Sequence, residues 1–318
     1  MSKIHILFEN DEWTAPLVAE LENLDLPYHL WDLSMGHFDL SATPPEGVYY
    51  SRMSASAHSR DHRYSPEFAD GVIQWLESHG RRVINGSRAI RLELSKIAQY
   101  AALQAAGIAV PRTFPALGRE AMIEAAKKFD GAFIAKHNRG GKGLGVYLHD
   151  DVDALTAWFD GPDYEAPVDG LWLMQAYIQA PEPFITRVEF VGGKFLYAVR
   201  VDTQSGFQLC PAEACMIDPV GDADRAPMFQ IMEGFSSPLI KAYEEFLCTN
   251  HIQIAGIEFI VDTAGRALTY DINTNTNYNP EAEARMSADA PRGLSSVAGF
   301  LGLELKAAVA VGKLTNAA

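Results

Sequence analysis

Two acidic residues late in the chain are spaced so that they could bind divalent cations together. Residues 254–273, IAGIEFIVDTAGRALTYDIN, contain two apolar runs separated by a polar turn at Gly265. An antiparallel hairpin folded about that turn places Glu258 opposite Asp271, and the two-residue period of a strand puts Asn273 on the same face. Oxygen ligands without histidine or cysteine favour Mg²⁺ or Mn²⁺. The segment therefore predicts a metal site, and the alternative is a solvated face of the sheet.

A second stretch combines glycines with basic side chains. Residues 136–146 read KHNRGGKGLGV, a composition that can cradle a phosphate. A P-loop or a dinucleotide fingerprint lies between a strand and a helix. This stretch instead joins AFIAK and GVYLH, which both have the pattern of short strands. We therefore expect the tip of a hairpin that folds over a nucleotide as a lid.

The elements ahead of these motifs alternate between strand and helix. Strands are expected at residues 3–8, 28–33, 48–53 and 81–85, with helices at 14–24 and 68–80. This order predicts an α/β, Rossmann-like domain over residues 1–90. It lacks GxGxxG, so a dinucleotide is not implied.

The remainder of the chain has a different pattern. From Leu92 a helix is expected to continue to a glycine stop at Gly107. Helix and strand patterns then alternate, and antiparallel strand pairs dominate the later part. We expect two α+β subdomains, 91–172 with the glycine loop and 173–318 with the acidic hairpin.

Composition limits the class of partner. The 318 residues are 48% hydrophobic and 21% charged, which is typical of a folded globular protein. The net charge of −15 argues against nucleic acid and anionic membranes as partners. The N-terminus has no signal-peptide pattern, which predicts a cytoplasmic protein. Cys210, Cys215 and Cys248 lack CxxC spacing, so no zinc site or disulfide framework is expected. The apolar segment 295–311 is suited to the core or to a homo-oligomer interface.

In this order, the motifs resemble those of the ATP-grasp superfamily, and within it the RimK-like carboxylate-amine ligases of the alpha-L-glutamate type. The resemblance covers residues from about 80 to 285. The matching segments are RVINGSRAIRLELSKIAQYAALQAAGIAVPRTF, FIAKHNRGGKGLGV, LMQAYIQ, RVEFVGGKFLYAVRV and GIEFIVDTAGRALTYDINTN. The resemblance implies a Rossmann-like (pre-ATP-grasp) domain followed by an α+β ATP-grasp fold of two subdomains with ATP between them.

The resemblance also implies roles for individual residues. Glu258, Asp271 and Asn273 would hold two Mg²⁺ ions, while Arg187 and Arg200 would be catalytic residues that stabilise the transferred phosphoryl group and the developing oxyanion. The residues that it assigns to the nucleotide are Lys96, Lys136, Arg139, Gly140, Gly141, Lys142, Gly143, Gln175, Ala176, Tyr177, Ile178 and Glu182.

The chain departs from the family pattern at three places. Ile185 stands where relatives carry an acid two positions before the first arginine, and Ala180 stands at the ribose-binding acid, which leaves Glu182 as its substitute. Residues 208–215, QLCPAEAC, replace an N-x-x-x-G-G segment. These differences concern the acceptor pocket more than the ATP site.

Two segments supply candidates for substrate binding. In SRMSASAHSRDHRY, Arg52 and Arg60 have guanidinium groups that suit a substrate carboxylate, although surface ion pairs would explain them equally. In NTNYNPEAEARM, Asn275, Asn277 and Tyr278 could bind a polar amino-acid substrate, or form a turn that bonds its own backbone.

The implied activity is ATP-dependent carboxylate-amine ligation through an acylphosphate, with an amino acid, another carboxylate or a peptide as substrate. The alternatives are a phosphotransferase on the same fold and a nucleotide-binding regulatory module without turnover. Lys96, Lys136 and all three predicted metal ligands are present, which argues against a module without turnover.

Overall fold

The structure, a computed structural model, describes residues 2–141, 143–204 and 227–315. Its helices are α1 (Asp11–Asn23), α2 (Ser65–Ser78), α3 (Ser87–Glu93), α4 (Lys96–Ala105), α5 (Arg119–Ala126), α6 (Val152–Phe159), α7 (Pro238–Thr249), α8 (Pro280–Ala284) and α9 (Gly293–Thr315). Its strands are β1 (Lys3–Phe8), β2 (Tyr28–Asp32), β3 (Gly47–Ser51), β4 (Arg82–Ile84), β5 (Thr113–Leu117), β6 (Phe133–His137), β7 (Val146–His149), β8 (Leu171–Ala176), β9 (Phe184–Val191), β10 (Lys194–Asp202), β11 (Phe229–Ile231), β12 (Ile254–Val261) and β13 (Ala267–Asn273).

The N-terminal sheet is parallel throughout, in the order β2-β1-β3-β4. Parallel strands are normally covered on both faces, and here Ile4 and Ile6 face the α1 and α9 side while Leu7 packs with residues of α2. The carboxyl ends of β1 and β3 lead into loops that approach the centre of the molecule. This sheet therefore supplies loops to the cavity described below.

Two antiparallel sheets follow. The small sheet has the order β5-β8-β6-β7, and the glycine stretch joins β6 to β7, so the predicted hairpin is confirmed. The large sheet has the order β11-β10-β9-β12-β13 and contains the acidic hairpin at its edge. The predicted subdomain boundary between residues 172 and 173 falls within β8 of the small sheet.

The apolar cores join these sheets unequally. One cluster combines Ile6 and Val48 of the N-terminal sheet with Val199 and Ile254 of the large sheet and Leu301 of α9. The small sheet has its own cluster, which includes Phe133, Leu155 and Trp172. The N-terminal sheet and the large sheet thus share apolar packing, whereas most of the small sheet packs separately.

The helix expected from Leu92 to Gly107 is interrupted, so that prediction is wrong in its detail. α3 ends at Glu93, and α4 begins at Lys96. The side chain of Ser95 accepts a hydrogen bond from the Ala98 backbone N–H at 3.2 Å, which is the interaction of a helix N-cap. Because a new helix starts there, Lys96 lies in its first turn, where its side chain can reach the hairpin.

The C-terminal helix α9 is long and apolar. By length and composition alone, its window Gly293–Ala310 could cross a membrane, but the core helix of a soluble protein passes the same criterion. Val297, Leu301 and Leu305, four residues apart, are buried in the cluster shared with the N-terminal sheet. Packing on the core therefore accounts for that face of α9.

Candidate functional site

A cavity of about 580 Å³ lies between the small sheet and the large sheet. Lys136 and Gln175 contribute from the small sheet, and Arg187, Glu258 and Asp271 contribute from the large sheet. Trp13 of α1 and Ser54 and Ser56 of the loop after β3 also line the cavity. Four consecutive residues predicted to bind the nucleotide also line the cavity, namely Gln175, Ala176, Tyr177 and Ile178. The sequence motifs thus converge on one concave site.

The acidic hairpin has the predicted register. Glu258 of β12 is the direct antiparallel partner of Asp271 of β13, and Gly256 pairs with Asn273. The register shifts immediately after Glu258, which gives the hairpin a bulge at this point. The prediction that the two carboxylates face each other is confirmed, and both line the cavity.

Each carboxylate has a cationic partner. Lys96 Nζ donates to Asp271 Oδ1, and Arg187 Nη1 donates to Glu258 Oε1 at 2.8 Å. Burial raises the pKa of Glu258, with a further contribution from Asp271, although Arg187 opposes the shift. The acids are therefore close enough to interact unfavourably, and positive charge is required to keep both of them ionised.

Amide side chains extend the acidic pair along the cavity wall. Asn273, Asn275 and Asn277 line the cavity, whereas the intervening Thr274 and Thr276 are buried, as the two-residue period of extended chain requires. Asn273 Nδ2 and Asn275 Oδ1 are buried without a hydrogen-bond partner in the part of the chain that the structure describes. Buried polar atoms without partners are rare, so these amides are suited to a ligand.

These groups fit Mg²⁺. Within residues 2–141, 143–204 and 227–315, no three His, Cys, Asp or Glu side chains are placed to hold a metal ion together. The carboxylates of Glu258 and Asp271 with the amide of Asn273 would therefore supply only part of an octahedral shell. Mg²⁺ commonly takes its remaining oxygens from water and phosphate, so this donor set matches its preference.

Arg187 is the centre of a buried ionic network. Its guanidinium donates to Glu189 at 2.5 Å, to Glu258 at 2.8 Å and to Thr276 Oγ1 at 2.5 Å. Burial disfavours its charge, but Glu189 and Glu258 outweigh burial and raise the pKa of Arg187 above its ordinary value. A Cβ at Gly256 would lie 2.6 Å from the guanidinium, so only glycine leaves room for it. The arginine is thus fixed against the acidic pair.

Lys136 is held by a residue that the sequence analysis did not identify. Its Nζ donates to the Tyr100 hydroxyl at 2.6 Å, and Gln175 Nε2 donates to the same hydroxyl at 2.7 Å. Burial, followed by repulsion from Lys96, lowers the pKa of Lys136 to about 7, although Asp271 and Glu258 act in the opposite direction. The lysine is therefore poised to gain a proton when an anion enters the cavity.

Two further residues without a role in the sequence analysis connect the loops around the site. Glu93 accepts hydrogen bonds from the backbone N–H groups of Ala55 and Thr274, at 3.2 and 2.8 Å. Asn85, which has a positive φ of 53°, donates through Nδ2 to the carbonyls of Ile254 and Thr274, at 2.7 and 2.8 Å. They tie the segments that follow β3 and β4 to β12 and to the residue that follows β13.

The glycine loop covers the cavity only in part. Gly141 and Gly143 line it, but Arg139 and Gly140 do not. Arg139 is instead directed to helix α2, where Nη1 donates to Glu67 Oε1 at 2.6 Å. The prediction that Arg139 contacts the nucleotide is therefore wrong in this structure, because its guanidinium is paired with Glu67. Lys142, which was also assigned to the nucleotide, lies outside the described residues.

The second predicted catalytic arginine does not line the cavity. Arg200 stacks over Phe184 at 3.7 Å and donates to Glu182 Oε2 at 3.1 Å, and its side chain is 34% exposed. Glu182, the suggested ribose-binding substitute, does line the cavity. Of the two predicted catalytic arginines, Arg187 lines the cavity and Arg200 does not, so the catalytic role predicted for Arg200 is corrected. The QLCPAEAC segment lies outside the described residues.

The substrate candidates divide into two groups. Asn275 and Asn277 line the cavity, and Arg52 lies behind the wall, where Nη2 donates to Asn277 Oδ1 at 3.1 Å. The predictions that Arg60 and Tyr278 bind the substrate are corrected. Arg60 pairs with Glu9 at 2.5 Å, and Tyr278 packs near Tyr197 in the core and does not line the cavity. Neither is placed to contact a substrate in the cavity.

The chain is similar in structure to solved ATP-grasp proteins. A RimK domain ATP-grasp protein from Sphaerobacter thermophilus DSM 20745 has a TM-score of 0.64 and 16% identity, with 96% of this chain and 99% of that chain covered. D-cycloserine synthetase DcsG has a TM-score of 0.67 and 14% identity, with 96% and 100% covered. The ATP-grasp ligase PsnB, complexed with a minimal precursor, Mg and ADP, has a TM-score of 0.63 and 14% identity, with 95% and 98% covered.

No protein-family model matches the sequence, and no curated protein does. The structural likeness is therefore what relates this chain to known proteins. It shows an ATP-grasp fold, as the motifs predict, over nearly the whole length of the chain.

Proposed function

We propose that the protein is an ATP-dependent carboxylate-amine ligase that forms an amide or peptide bond through an acylphosphate. The observation that carries the proposal is the direct pairing of Glu258 with Asp271 in a cavity that also contains Lys96 and Lys136. Opposed acids with oxygen-rich neighbours suit Mg²⁺, and lysines suit phosphates. A ligase of this class needs both.

The proposed reaction has two steps on the substrate. A carboxylate oxygen attacks the γ-phosphorus of ATP and ADP leaves. An amine nitrogen then attacks the acyl carbon, phosphate leaves, and the nitrogen loses a proton. Glu258, Asp271 and Asn273 would hold Mg²⁺, which supplies Lewis-acid charge neutralisation when bound. Lys96 and Lys136 offset phosphate charge, Arg187 keeps Glu258 in place, and the glycine loop excludes water from the acyl group.

The proteins of similar fold support this choice of class. DcsG is named as a synthetase, and PsnB is a ligase found with a minimal precursor, Mg and ADP, and also with a precursor peptide and AMPPNP. For this chain we propose ATP and Mg²⁺, an amino acid, other carboxylate or peptide as substrate, and a cytoplasmic location. We further propose that the N-terminal sheet is the Rossmann-like pre-ATP-grasp domain, with the two ATP-grasp subdomains after it.

Trapping with hydroxylamine tests the proposed function. A panel of carboxylates is incubated with the protein, ATP, Mg²⁺ and hydroxylamine, because an acylphosphate yields a hydroxamate whatever the natural amine is. We expect ATP-dependent hydroxamate with at least one carboxylate class. A stable phosphorylated product would instead indicate a phosphotransferase, and nucleotide binding with neither product would indicate a regulatory module.

Nucleotide binding is expected to take up a proton at Lys136. Its pKa of about 7 leaves it mostly neutral at pH 8, and the negative phosphates raise that pKa in the complex. Uptake should approach about one proton per site at pH 8 and fall towards zero at pH 6, where the ammonium is already charged. Calorimetric titration with ADP in buffers of different ionisation enthalpy measures it.

The matched variant for this titration is Lys136→Met, which removes the titrating group. At pH 8 this variant should take up about one proton fewer per site than the wild type. At pH 6 the two proteins should take up the same number of protons. Equal uptake by the two proteins at pH 8 would contradict the assignment of the titration to Lys136.

A further inference from the structure

The Tyr100 hydroxyl lies at a junction of three hydrogen bonds on the cavity wall. It donates to the Tyr270 carbonyl at 2.9 Å, and it accepts from Lys136 Nζ at 2.6 Å and from Gln175 Nε2 at 2.7 Å. Tyr100 is buried, in the second apolar cluster, so water does not compete for these bonds.

Counting protons fixes the direction of each bond. A hydroxyl has one proton, and the Tyr270 carbonyl can only accept, so the proton of Tyr100 is committed there. The oxygen of Tyr100 must then accept from both Lys136 and Gln175. The lysine is thereby anchored by an acceptor that has no proton of its own to offer in return.

The same count fixes the orientation of the Gln175 amide. Thr113 Oγ1 donates its proton to the Pro111 carbonyl at 2.9 Å, so it too can only accept, and Gln175 Nε2 lies 3.2 Å from it. The amide atom between these two acceptors must be the nitrogen. Gln175 lines the cavity, and its Oε1 has no protein donor among the residues that the structure describes. The amide therefore offers an acceptor to a ligand.

We propose that Tyr100 is a positioning residue that makes the cavity selective for a 6-aminopurine nucleotide, by fixing Gln175 as an acceptor while it anchors Lys136. This rests on the proposed use of a nucleotide and adds the means of base selection. An adenine amino group can donate to Gln175 Oε1, whereas the 6-oxo group of hypoxanthine presents a second acceptor and is repelled.

Tyr100→Phe tests the proposal because it removes the hydroxyl and keeps the ring. We expect the wild type to bind ADP more tightly than IDP by roughly 10²-fold, and Tyr100→Phe to reduce this ratio to within about tenfold, because the freed amide can turn and donate. ADP affinity should also fall by about tenfold as Lys136 loses its acceptor. Calorimetric titration of both nucleotides with Mg²⁺ gives the dissociation constants.

Tyr243→Phe is the matched control. Tyr243 is fully buried in the same apolar cluster, and its hydroxyl lies 2.6 Å from Thr269 Oγ1, away from the cavity. Its loss removes a comparable buried hydrogen bond, so the ADP to IDP ratio should stay at the wild-type value. A general loss of packing would instead change both variants alike.

Thr113→Val gives a second route if Tyr100→Phe does not fold. It removes the other acceptor that orients Gln175, so the ADP to IDP ratio should fall while Lys136 keeps Tyr100 as its partner. A wild-type protein without preference for ADP, or an unchanged ratio in the folded variants, overturns the proposal. Absence of hydroxamate in a protein that still prefers ADP would overturn the ligase function alone.

Discussion

Asp271→Asn is expected to lower the rate of hydroxamate formation by roughly 10²-fold or more without unfolding the protein. Asp271 is the direct partner of Glu258 in the hairpin, and its side chain bonds to Lys96. The asparagine keeps an oxygen that accepts from Lys96, so the local geometry has little reason to change. It removes the negative charge that a divalent cation would require. The rate is measured by hydroxamate formation, and the fold by urea denaturation.

Asp262→Asn is the control for this variant. Asp262 lies at the turn of the same hairpin, where its carboxylate accepts from the backbone N–H groups of Ala264 and Arg266. This variant also removes one negative charge from the hairpin, but at a position outside the cavity. The rate should therefore remain near that of the wild type. If Asp271→Asn retains wild-type turnover, or if both variants lose it equally, the metal assignment is wrong.

Arg187→Met is expected to cost about 3–5 kcal/mol of unfolding free energy. The variant leaves the buried Glu189 and the mostly buried Glu258 without the guanidinium that bonds to both. Thr276 loses its donor as well. An uncompensated buried charge is more costly than the loss of the pair itself, and two carboxylates are affected here. Urea denaturation followed by circular dichroism gives the free energy.

The other predicted catalytic arginine provides the comparison. Arg200 bonds to Glu182 at the surface, with side chains that are 34% and 63% exposed. Arg200→Met should therefore cost less than about 1 kcal/mol. Similar losses of unfolding free energy in the two variants would contradict the stabilising role assigned to the buried network around Arg187.

Much of the fold follows from local patterns. The acidic hairpin was predictable because strand alternation and the turn at Gly265 together fix which residues face each other. The glycine hairpin was predictable because strands flank it on both sides. The break before Lys96 also had a signal in Ser95, a favoured N-cap residue, which the continuous apolar pattern outweighed.

The errors concern side chains whose partners are distant in sequence. Arg139 pairs with Glu67, and Arg60 pairs with Glu9, across separations of 72 and 51 residues. A basic residue in a motif identifies a possible ligand contact, but the nearest carboxylate in space decides whether the charge is available. Tyr100 has no local signal at all, because its role depends on residues from several strands meeting at one hydroxyl.

The division of the apolar cores determines how a bound product could leave. Separating the N-terminal sheet from the large sheet would expose side chains such as Val48 and Ile254, and apolar exposure is costly at about 25 cal/mol per Å². The small sheet keeps Phe133 and Trp172 in a core of its own, and Leu173 of β8 joins it to the apolar cluster of the large sheet. We therefore expect product release to move the small sheet about β8, the strand that stays attached, and to break the ion pair between Arg139 and Glu67.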